Sequence, residues 1–284
     1  MGASLSLGDT VAISEPMLST LEPRITIVTP SFQQVRFLPW TIRSVTDQGY
    51  RNLEYFVCDG GSTDGSVDVI RAHAGSVSWW CSERDGGQTS AINKGFRRAS
   101  GEIVGWLNSD DMLLPGCLRK VAKAFEDPSV NAICGWGVMM SDHGRVRRRW
   151  VFGQPTAAGL RSRSLLFQPS VFWRRSLLDQ IGLLDESFRL CMDQDYFTRM
   201  AEHGVVPRLV PRFLAAYRAH HETKTNLLGQ VGADESQRIM RRQGLNFIVE
   251  PESIGSKALR LFWHKLTILT PPFARGSDVH ALYR

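Results

Sequence analysis

The first hundred residues of the chain repeat one pattern, a short apolar strand-like run followed by a helix-compatible stretch. The runs begin near residues 25, 53, 77 and 103, so neighbouring starts are about one βα unit apart. Such alternation is typical of a parallel sheet covered by helices, because two parallel strands need a long crossover between them. The spacing therefore predicts an α/β fold with a mostly parallel sheet flanked by helices.

Acidic side chains follow three of the four predicted strands. Asp59 ends the second strand, Asp85 follows the third, and the pair Asp110 and Asp111 follows the fourth. Open α/β sheets bind ligands at the carboxyl ends of their strands, so we expect these carboxylates to converge on one crevice. Their oxygens would suit Mg2+ or Mn2+, which in turn can hold a diphosphate. An isolated Asp-Asp pair is usually a solvated turn, but three acid-bearing strand ends favour a site.

Beyond the predicted helix Pro115–Glu126 the pattern changes. Two β-rich runs, Ala132–Met140 and Arg145–Phe152, flank a Ser-Asp-His-Gly turn and predict a hairpin. Further along, Val205–Val210 and Phe213–Tyr217 predict two short strands. This part of the chain is therefore not expected to continue the βα repeat.

Length and composition limit the number of domains and the classes of partner. With 284 residues, 43% of them apolar, the chain can bury the core of one catalytic domain with an appendage. Its net charge of +6 is too small to predict a nucleic-acid partner. The five cysteines form no C-x-x-C pair and predict reduced thiols, so we expect a cytoplasmic chain. No run of about 18 apolar residues occurs, so no transmembrane helix is predicted.

The predicted organisation has three parts: a flexible segment at residues 1–22, a catalytic domain at 23–225 and a helical C-terminal extension at 226–284. The extension is predicted to contain helices Glu235–Ile248 and Lys257–Leu269, the second with an apolar face and basic residues opposite. Two interpretations of that face stay open. It docks on the catalytic domain, or it makes peripheral contact with an anionic membrane, which would place the chain at the inner face of that membrane.

Several motifs occur in an order that closely resembles the family 2 glycosyltransferases. They are Thr29–Phe32, Asp59–Asp64, Asp85–Gln88, Asn93–Gly95, Asn108–Asp111, Gln168–Pro169, Gly182–Asp185 and Met192–Asp195. The resemblance extends over about residues 24 to 221. It implies a GT-A fold with a Rossmann-like nucleotide-binding half. It also implies inverting transfer of a sugar from a nucleotide-sugar donor, UDP-linked, to a hydroxyl of a glycan or lipid-linked acceptor.

The same resemblance implies roles for individual residues. Those on the donor side are Thr29, Pro30, Asp59, Asp85, Gly86, Asn108 and Asp110, and metal binding falls to Asp110 and Asp111. Two further candidates rest on position: Lys94 for the donor, with a surface lysine as the alternative, and His220 for the metal, with a loop pair beside His221 as the alternative. Asp111, as a loop acid, is expected to have little packing to lose when it is replaced.

Asp193 is the predicted general base. The resemblance places the family's base here, at the start of the predicted helix Asp193–His203. A carboxylate near the acceptor can remove the proton of the attacking hydroxyl as the glycosidic bond forms. The alternative is a helix-capping acid, because the helix dipole favours negative charge in a first turn. Asp195, in the same turn, is the intended control for substitution of Asp193.

Three other functions are compatible with part of the pattern. A dinucleotide-binding oxidoreductase would need G-x-G-x-x-G after the first strand, where Pro30 stands instead. A sugar-phosphate nucleotidyltransferase would need a glycine-rich basic loop at the same turn. A non-catalytic nucleotide-sugar-binding component of a polysaccharide assembly complex would be expected to lack an acid, yet every predicted acid is present. We therefore expect an enzyme.

Overall fold

The computed structural model describes residues 22–162, 166–245, 273 and 275–283. Its strands are β1 Ile25–Ser31, β2 Leu53–Asp59, β3 Trp79–Ser82, β4 Ile103–Trp106, β5 Met112–Leu113, β6 Ala132–Ser141, β7 Val146–Trp150, β8 Phe172–Arg174 and β9 Arg208–Ala219. Its helices are α1 Leu38–Thr46, α2 Ser66–Ala72, α3 Gln88–Arg98, α4 Cys117–Phe125, α5 Ala157–Ser162, α6 Ser176–Ile181, α7 Met192–Glu202, α8 Lys224–Leu227 and α9 Gly229–Arg242. The strands form one sheet in the order β3-β2-β1-β4-β8-β6-β9-β5, with β7 paired to β6.

The first four strands are parallel, as the spacing predicts. Strand β1 lies between β2 and β4, with Ile25 opposite both Leu53 and Ile103. Every residue of β1 is buried, as expected of a central parallel strand covered on both faces. Because the strands start in register, their carboxyl ends also lie side by side, and Ser31 pairs with Asp59.

The second half of the sheet is mixed. Strand β8 is antiparallel to β4 and β6, β5 is antiparallel to β9, and β9 is parallel to β6. Strands β6 and β7 form the predicted hairpin. The prediction of two short strands between residues 205 and 217 is wrong, because β9 is one strand. Pro211 has no N–H to donate, and the register of β9 against β6 shifts between Gly135 and Gly137, a bulge that absorbs the interruption.

Apolar layers on the two faces of the sheet fix the helices. Helices α1 and α4 pack on one face, and α3 and α7 pack on the other. The approach of α3 to β1 depends on Gly95, where a Cβ atom would lie 2.5 Å from Val28 Cγ1. This contact lets α3, which begins at Gln88 shortly after Asp85, lie directly against β1.

Two parts of the predicted C-terminal extension contact the predicted catalytic domain. Helix α9 packs against α7, and Tyr283 Oη donates a hydrogen bond to the carbonyl of Leu113 at 2.7 Å. The predicted helix start at Glu235 is wrong, because α9 begins at Gly229. Glycine is a weak helix former, but close packing favours it at position 232, because a Cβ atom there would lie 2.6 Å from Leu190 Cδ2.

Other predictions about the termini fall on residues 1–21 and 246–272, which are outside the described ranges; they include the flexible start and the helix Lys257–Leu269. Within the described ranges, no helix has both the length and the apolar composition needed to cross a membrane. All five cysteines are free thiols, as expected.

Candidate active site

The loops that follow β1 to β4 meet at one edge of the sheet, which we call the strand-end edge (residues 31–33, 59–63, 83–88 and 107–111). A Cβ atom on Gly60 would lie 3.3 Å from Asp85 Oδ1, so the loops after β2 and β3 touch. Gln88 Nε2 donates a hydrogen bond to Asn108 Oδ1 at 2.7 Å, which joins the start of α3 to the loop after β4. The predicted convergence of the acid-bearing strand ends is therefore present.

Asp59 shapes the loop after β2. Its buried carboxylate accepts hydrogen bonds from the backbone N–H groups of Gly61 and Ser62 at 3.1 and 2.8 Å, and from the hydroxyls of Ser62 and Ser82 at 2.6 and 2.7 Å. These bonds fix the turn against β3. Thr29 and Pro30 lie beside it as buried residues of β1, and Thr29 Oγ1 accepts a hydrogen bond from Tyr55 Oη at 3.0 Å.

The carboxylate of Asp85 accepts fewer hydrogen bonds than that of Asp59. Its Oδ1 accepts the N–H of Gly87 at 2.8 Å, whereas its Oδ2 is buried and has no hydrogen-bond partner in the described part of the chain. A buried carboxylate oxygen without a donor is costly, so this atom indicates a place where a ligand or water supplies one. Gly86, next to it, is exposed. Lys94 Nζ is bonded to Glu83 Oε1 at 2.7 Å, so its predicted contact with the donor would require that ion pair to open.

The two adjacent aspartates after β4 have different environments. Asp111 is fully buried, and its Oδ1 accepts the backbone N–H of Arg218 at 2.9 Å. Burial, followed by the charge of Asp110, raises the pKa of Asp111 well above its usual value. The expectation that Asp111 has little packing to lose is therefore wrong. Asp110 keeps 18% of its side chain exposed, and its Oδ2 lies 3.1 Å from His220 Nε2.

The pair of Asp110 and His220 could hold a divalent ion. The His220 side chain is 1% exposed and packs against Phe37, whereas that of His221 is 81% exposed, so the two histidines are not an equivalent loop pair. No cluster of three or more His, Cys, Asp or Glu side chains that could bind a metal occurs among the described residues. Two protein ligands nevertheless fit a metal that completes its shell with phosphate oxygens and water. A carboxylate with an imidazole suits Mn2+ better than Mg2+, because imidazole is a softer ligand.

Arg218 is a site residue that the sequence analysis missed. It is buried, its Nε donates to the carbonyl of Asp110 at 2.8 Å, and its guanidinium lies 4.8 Å from the ring centre of Phe37. Burial lowers the pKa of Arg218 to about 10, and the charges of Asp111 and Asp110 oppose that lowering. Arg218 therefore holds the loop after β4 from the far strand β9. An arginine directly after the apolar run Leu214–Tyr217 was the available signal.

An exposed aromatic side chain also lies at the strand-end edge. Phe32 follows β1 directly, is 60% exposed, and has its Cδ2 atom 3.4 Å from the position of a Cβ on Gly60. The exposed face of the Phe32 ring can stack on a planar ring of a ligand bound at the strand-end edge. Phe32 belongs to the motif Thr29–Phe32, from which no role was predicted for its side chain.

Asp193 lies in the first turn of α7, whose N-cap residue is Cys191. Its Oδ1 accepts the N–H of Gln194 at 2.8 Å, and burial raises the pKa of its carboxyl group. Asp195 is buried and forms ion pairs with Arg199 and Arg242, both at 2.9 Å. Asp195 is therefore a structural residue, and the expectation that it could serve as a neutral control is wrong.

The chain leading into α7, residues 184–195, lies next to the strand-end edge, and we call it the base segment. Asn93 Nδ2 of α3 donates to the carbonyl of Leu184 at 2.9 Å, and Thr89 Oγ1 donates to that of Phe188 at 3.0 Å. A Cβ atom on Gly86 would lie 3.9 Å from Glu186 Oε2. Helix α3 thus contacts the base segment along its length and begins at the strand-end edge.

Two solved structures share this fold. TarS of S. aureus in complex with UDP-GlcNAc aligns with a TM-score of 0.58 and 15% identity, over 77% of this chain and 71% of that one. The mannosyltransferase PcManGT from Pyrobaculum calidifontis, in complex with GDP-Man and Mn2+, aligns with a TM-score of 0.56 and 17% identity, over 89% of this chain and 83% of that one. The likeness confirms the predicted GT-A type of α/β fold.

Sequence relatives agree with the fold. A glycosyltransferase of Mycobacterium tuberculosis with no assigned reaction is 29% identical over 198 residues, which are 64% of this chain and 70% of the relative. The PGL/p-HBAD biosynthesis glycosyltransferase of Mycobacterium bovis is 27% identical over 198 residues, 68% of this chain and 74% of the relative. The sequence model described as Glycosyl transferase family 2 matches residues 26–181, more than half of the chain. The chain therefore belongs to glycosyl transferase family 2, and it is a glycosyltransferase.

Proposed function

We propose that this enzyme transfers a sugar, with inversion, from a UDP-sugar to a hydroxyl group of a glycan or lipid-linked acceptor. The observation that carries the proposal is the contact between the strand-end edge and the base segment. The contact places the chain that leads to Asp193 beside the acids suited to a metal-bound diphosphate, and burial raises the pKa of the Asp193 carboxyl group. The nucleotide sugars bound by the two structural neighbours support the donor class.

On the donor side, we assign the base and ribose to the end of β1 and the loop after β2. Thr29, Pro30 and the turn ordered by Asp59 would form the wall, and Phe32 would offer a face to the base. Asp85 Oδ2 is a buried acceptor that a ribose hydroxyl or an ordered water could satisfy. Lys94 stays a candidate for the diphosphate if its ion pair with Glu83 opens.

A divalent ion would be held by Asp110 and His220, which lie 3.1 Å apart, with Asp111 keeping the loop in shape through Arg218. When bound, Mn2+ or Mg2+ supplies positive charge that stabilises the departing diphosphate. The assignment moves the main metal contact from Asp111 to Asp110, because the carboxylate of Asp111 is buried and already bonded.

On the acceptor side, Asp193 would take the proton of the attacking hydroxyl. The acceptor oxygen forms a bond to the anomeric carbon, the bond from that carbon to the diphosphate breaks, and the proton moves to Asp193 Oδ2. The Oδ1 atom is occupied by the N–H of Gln194, which orients the carboxylate. A pKa raised by burial makes the group a better proton acceptor near neutral pH than an ordinary aspartate.

A donor screen followed by product analysis tests the proposal. Thermal unfolding would be followed with UDP, GDP and their sugars, with and without Mn2+, because a ligand that binds the native state raises the melting temperature. We expect a UDP-sugar to stabilise the protein only with the metal present, and NMR of the product to show the opposite anomeric configuration from the donor. Retained configuration would exclude a single displacement assisted by Asp193.

A further inference from the structure

Helix α9 and the base segment both lie beyond residues 26–181, which the family model matches, and α9 holds the base segment directly. The contact centres on Glu235, whose side chain is buried. Its Oε1 accepts the backbone N–H of Arg189 at 2.7 Å, and its Oε2 accepts those of Leu190 and Cys191, both at 2.9 Å. One carboxylate therefore binds three successive N–H groups.

These three N–H groups stand at the entrance to α7. Cys191 is the N-cap residue of that helix, and no side-chain cap bond is made by the N-cap residue itself. Glu235 supplies negative charge and acceptors at this helix start, where the dipole favours them. Hydrogen bonds to an ionised acceptor are also roughly twice as strong as neutral ones. The direction in which α7 leaves the turn is thus fixed from α9.

Other side chains of α9 contact the same segment. Arg242 pairs with Asp195 at 2.9 Å, and the guanidinium of Arg238 lies 3.7 Å from the ring centre of Phe188. These contacts attach α9 to the base segment on both sides of the turn at residues 189–191, at Phe188 and at Asp195. Among the described side chains of α9, only that of Glu235 bonds to the backbone within four residues of Asp193; Lys224 of α8 also donates to the carbonyl of Arg189, at 3.4 Å.

We propose that Glu235 is a positioning residue, which fixes the turn at residues 189–191 and thereby aims the carboxylate of Asp193 at the acceptor. The inference rests on the proposed role of Asp193 as the base. Displacement of a reacting group by about 1 Å can cost a hundredfold in rate, so a small rotation of the first turn of α7 would be sufficient. Donor binding, assigned to the strand-end edge, would not depend on it.

The sharpest test is Glu235→Gln, which preserves the shape of the side chain. An amide offers one oxygen, so its NH2 group would face N–H groups that now bond to Oε1 or Oε2. We expect kcat to fall about tenfold to a hundredfold while the KM for the donor and its Mn2+-dependent thermal shift stay unchanged. Glu235→Asp, which keeps the charge, should recover part of the loss.

Two variants on α9 separate positioning from general damage. Asp234→Asn makes the same charge change at an exposed site whose carboxylate accepts a hydrogen bond from Gln230, and it should leave kcat unchanged. Ile239→Ala removes a buried apolar side chain from α9 and should lower the melting temperature while keeping kcat. If Ile239→Ala lost as much kcat as Glu235→Gln, the effect would be that of a loosened helix and the inference would be overturned.

Asp193→Asn in the same assays distinguishes failure of this inference from failure of the proposed function. Since Glu235 would act through Asp193, Glu235→Gln should add almost nothing to the loss in the Asp193→Asn background. Full activity of Glu235→Gln beside an inactive Asp193→Asn would remove only the positioning role. Normal turnover of Asp193→Asn would overturn both.

Discussion

The strand-end edge and the base segment are built in different ways. In the first, the loop after β2 is held by a side chain of its own turn, since Asp59 accepts the N–H groups two and three residues ahead, and Arg218 of β9 holds the loop after β4. In the second, the turn is held by Glu235, more than 40 residues further along the chain. Local bonds make the loop after β2 largely independent of the rest of the fold, whereas the base segment depends on α9. We therefore expect substitutions in the two regions to separate donor binding from turnover.

The largest expected effect is that of Asp193→Asn. Turnover should fall a hundredfold or more, the usual size of a general-base contribution, while donor affinity persists. Burial raises the pKa of Asp193, so the kcat of the wild type should fall with decreasing pH at a pH above the ordinary aspartate range. The residual activity of Asp193→Asn should not show this fall. Asp179→Asn, at an exposed acid of α6, is the matched control. Steady-state kinetics across pH measures both, and unchanged turnover would contradict the separation of regions.

Removal of the proposed metal ligands should have the next largest effect on turnover, and it acts at the strand-end edge rather than at the base segment. Asp110→Asn and His220→Ala should each reduce turnover by about a hundredfold, because they weaken the charge stabilisation of the diphosphate. Both should also abolish the Mn2+-dependent thermal shift with nucleotide diphosphate, and EDTA should do the same to the wild type. His221→Ala changes the exposed neighbour and should behave as wild type. Metal-independent activity would show that the strand-end edge binds the donor without a cation.

Substitution of Asp111 should lower the stability of the fold, because this residue joins the strand-end edge to the distant strand β9. Asp111→Ala leaves the buried N–H of Arg218 without its acceptor and should lower the free energy of unfolding by about 1–3 kcal/mol. Asp111→Asn keeps an acceptor oxygen and should cost less. Since the pKa of Asp111 is raised in the folded state, wild-type stability from this group is greatest below its unfolded pKa and decreases as pH rises through the folded one. In urea titrations, the free energy of unfolding of Asp111→Asn should therefore rise relative to that of the wild type as the pH increases. A difference between the two that stays constant with pH would contradict the effect of burial on Asp111.

The smallest expected effect is that of Phe32→Ala. Stacking of a base on an aromatic side chain contributes about 1–3 kcal/mol, and an exposed site should lie near the lower value, so donor affinity should fall about fivefold. Turnover at saturating donor should be unchanged. Val35→Ala, in the same loop, is the control, and isothermal titration with nucleotide diphosphate makes the measurement. Equal affinities for the two variants would remove Phe32 from the donor site.

The same contrast explains which features could be predicted from the sequence. The parallel strands, the hairpin and the converging acids depend on periodicity and on residues a few positions apart, and the structure contains them. The position of Arg218 after an apolar run was a signal, but the roles of Arg218 and Glu235 could not be predicted, because they depend on bonds to strand ends and turns 107 and 44 to 46 residues away. The single strand β9 was missed because Pro211 interrupts its pattern, and only pairing with β6 shows that a bulge accommodates it.

The bond between Asp111 and Arg218 also has a consequence for the order of events during synthesis. The two residues are 107 positions apart, so at ordinary rates of translation about 5–20 s pass between their appearance. Throughout that time the Asp111 carboxylate needs water, because no backbone N–H of β9 yet exists to replace it. The parallel half of the sheet can form early, but its strand-end edge must stay open to solvent until β9 pairs with β6. The strand-end edge, although it follows the first strands to be synthesised, is thus among the last parts of the fold to be completed.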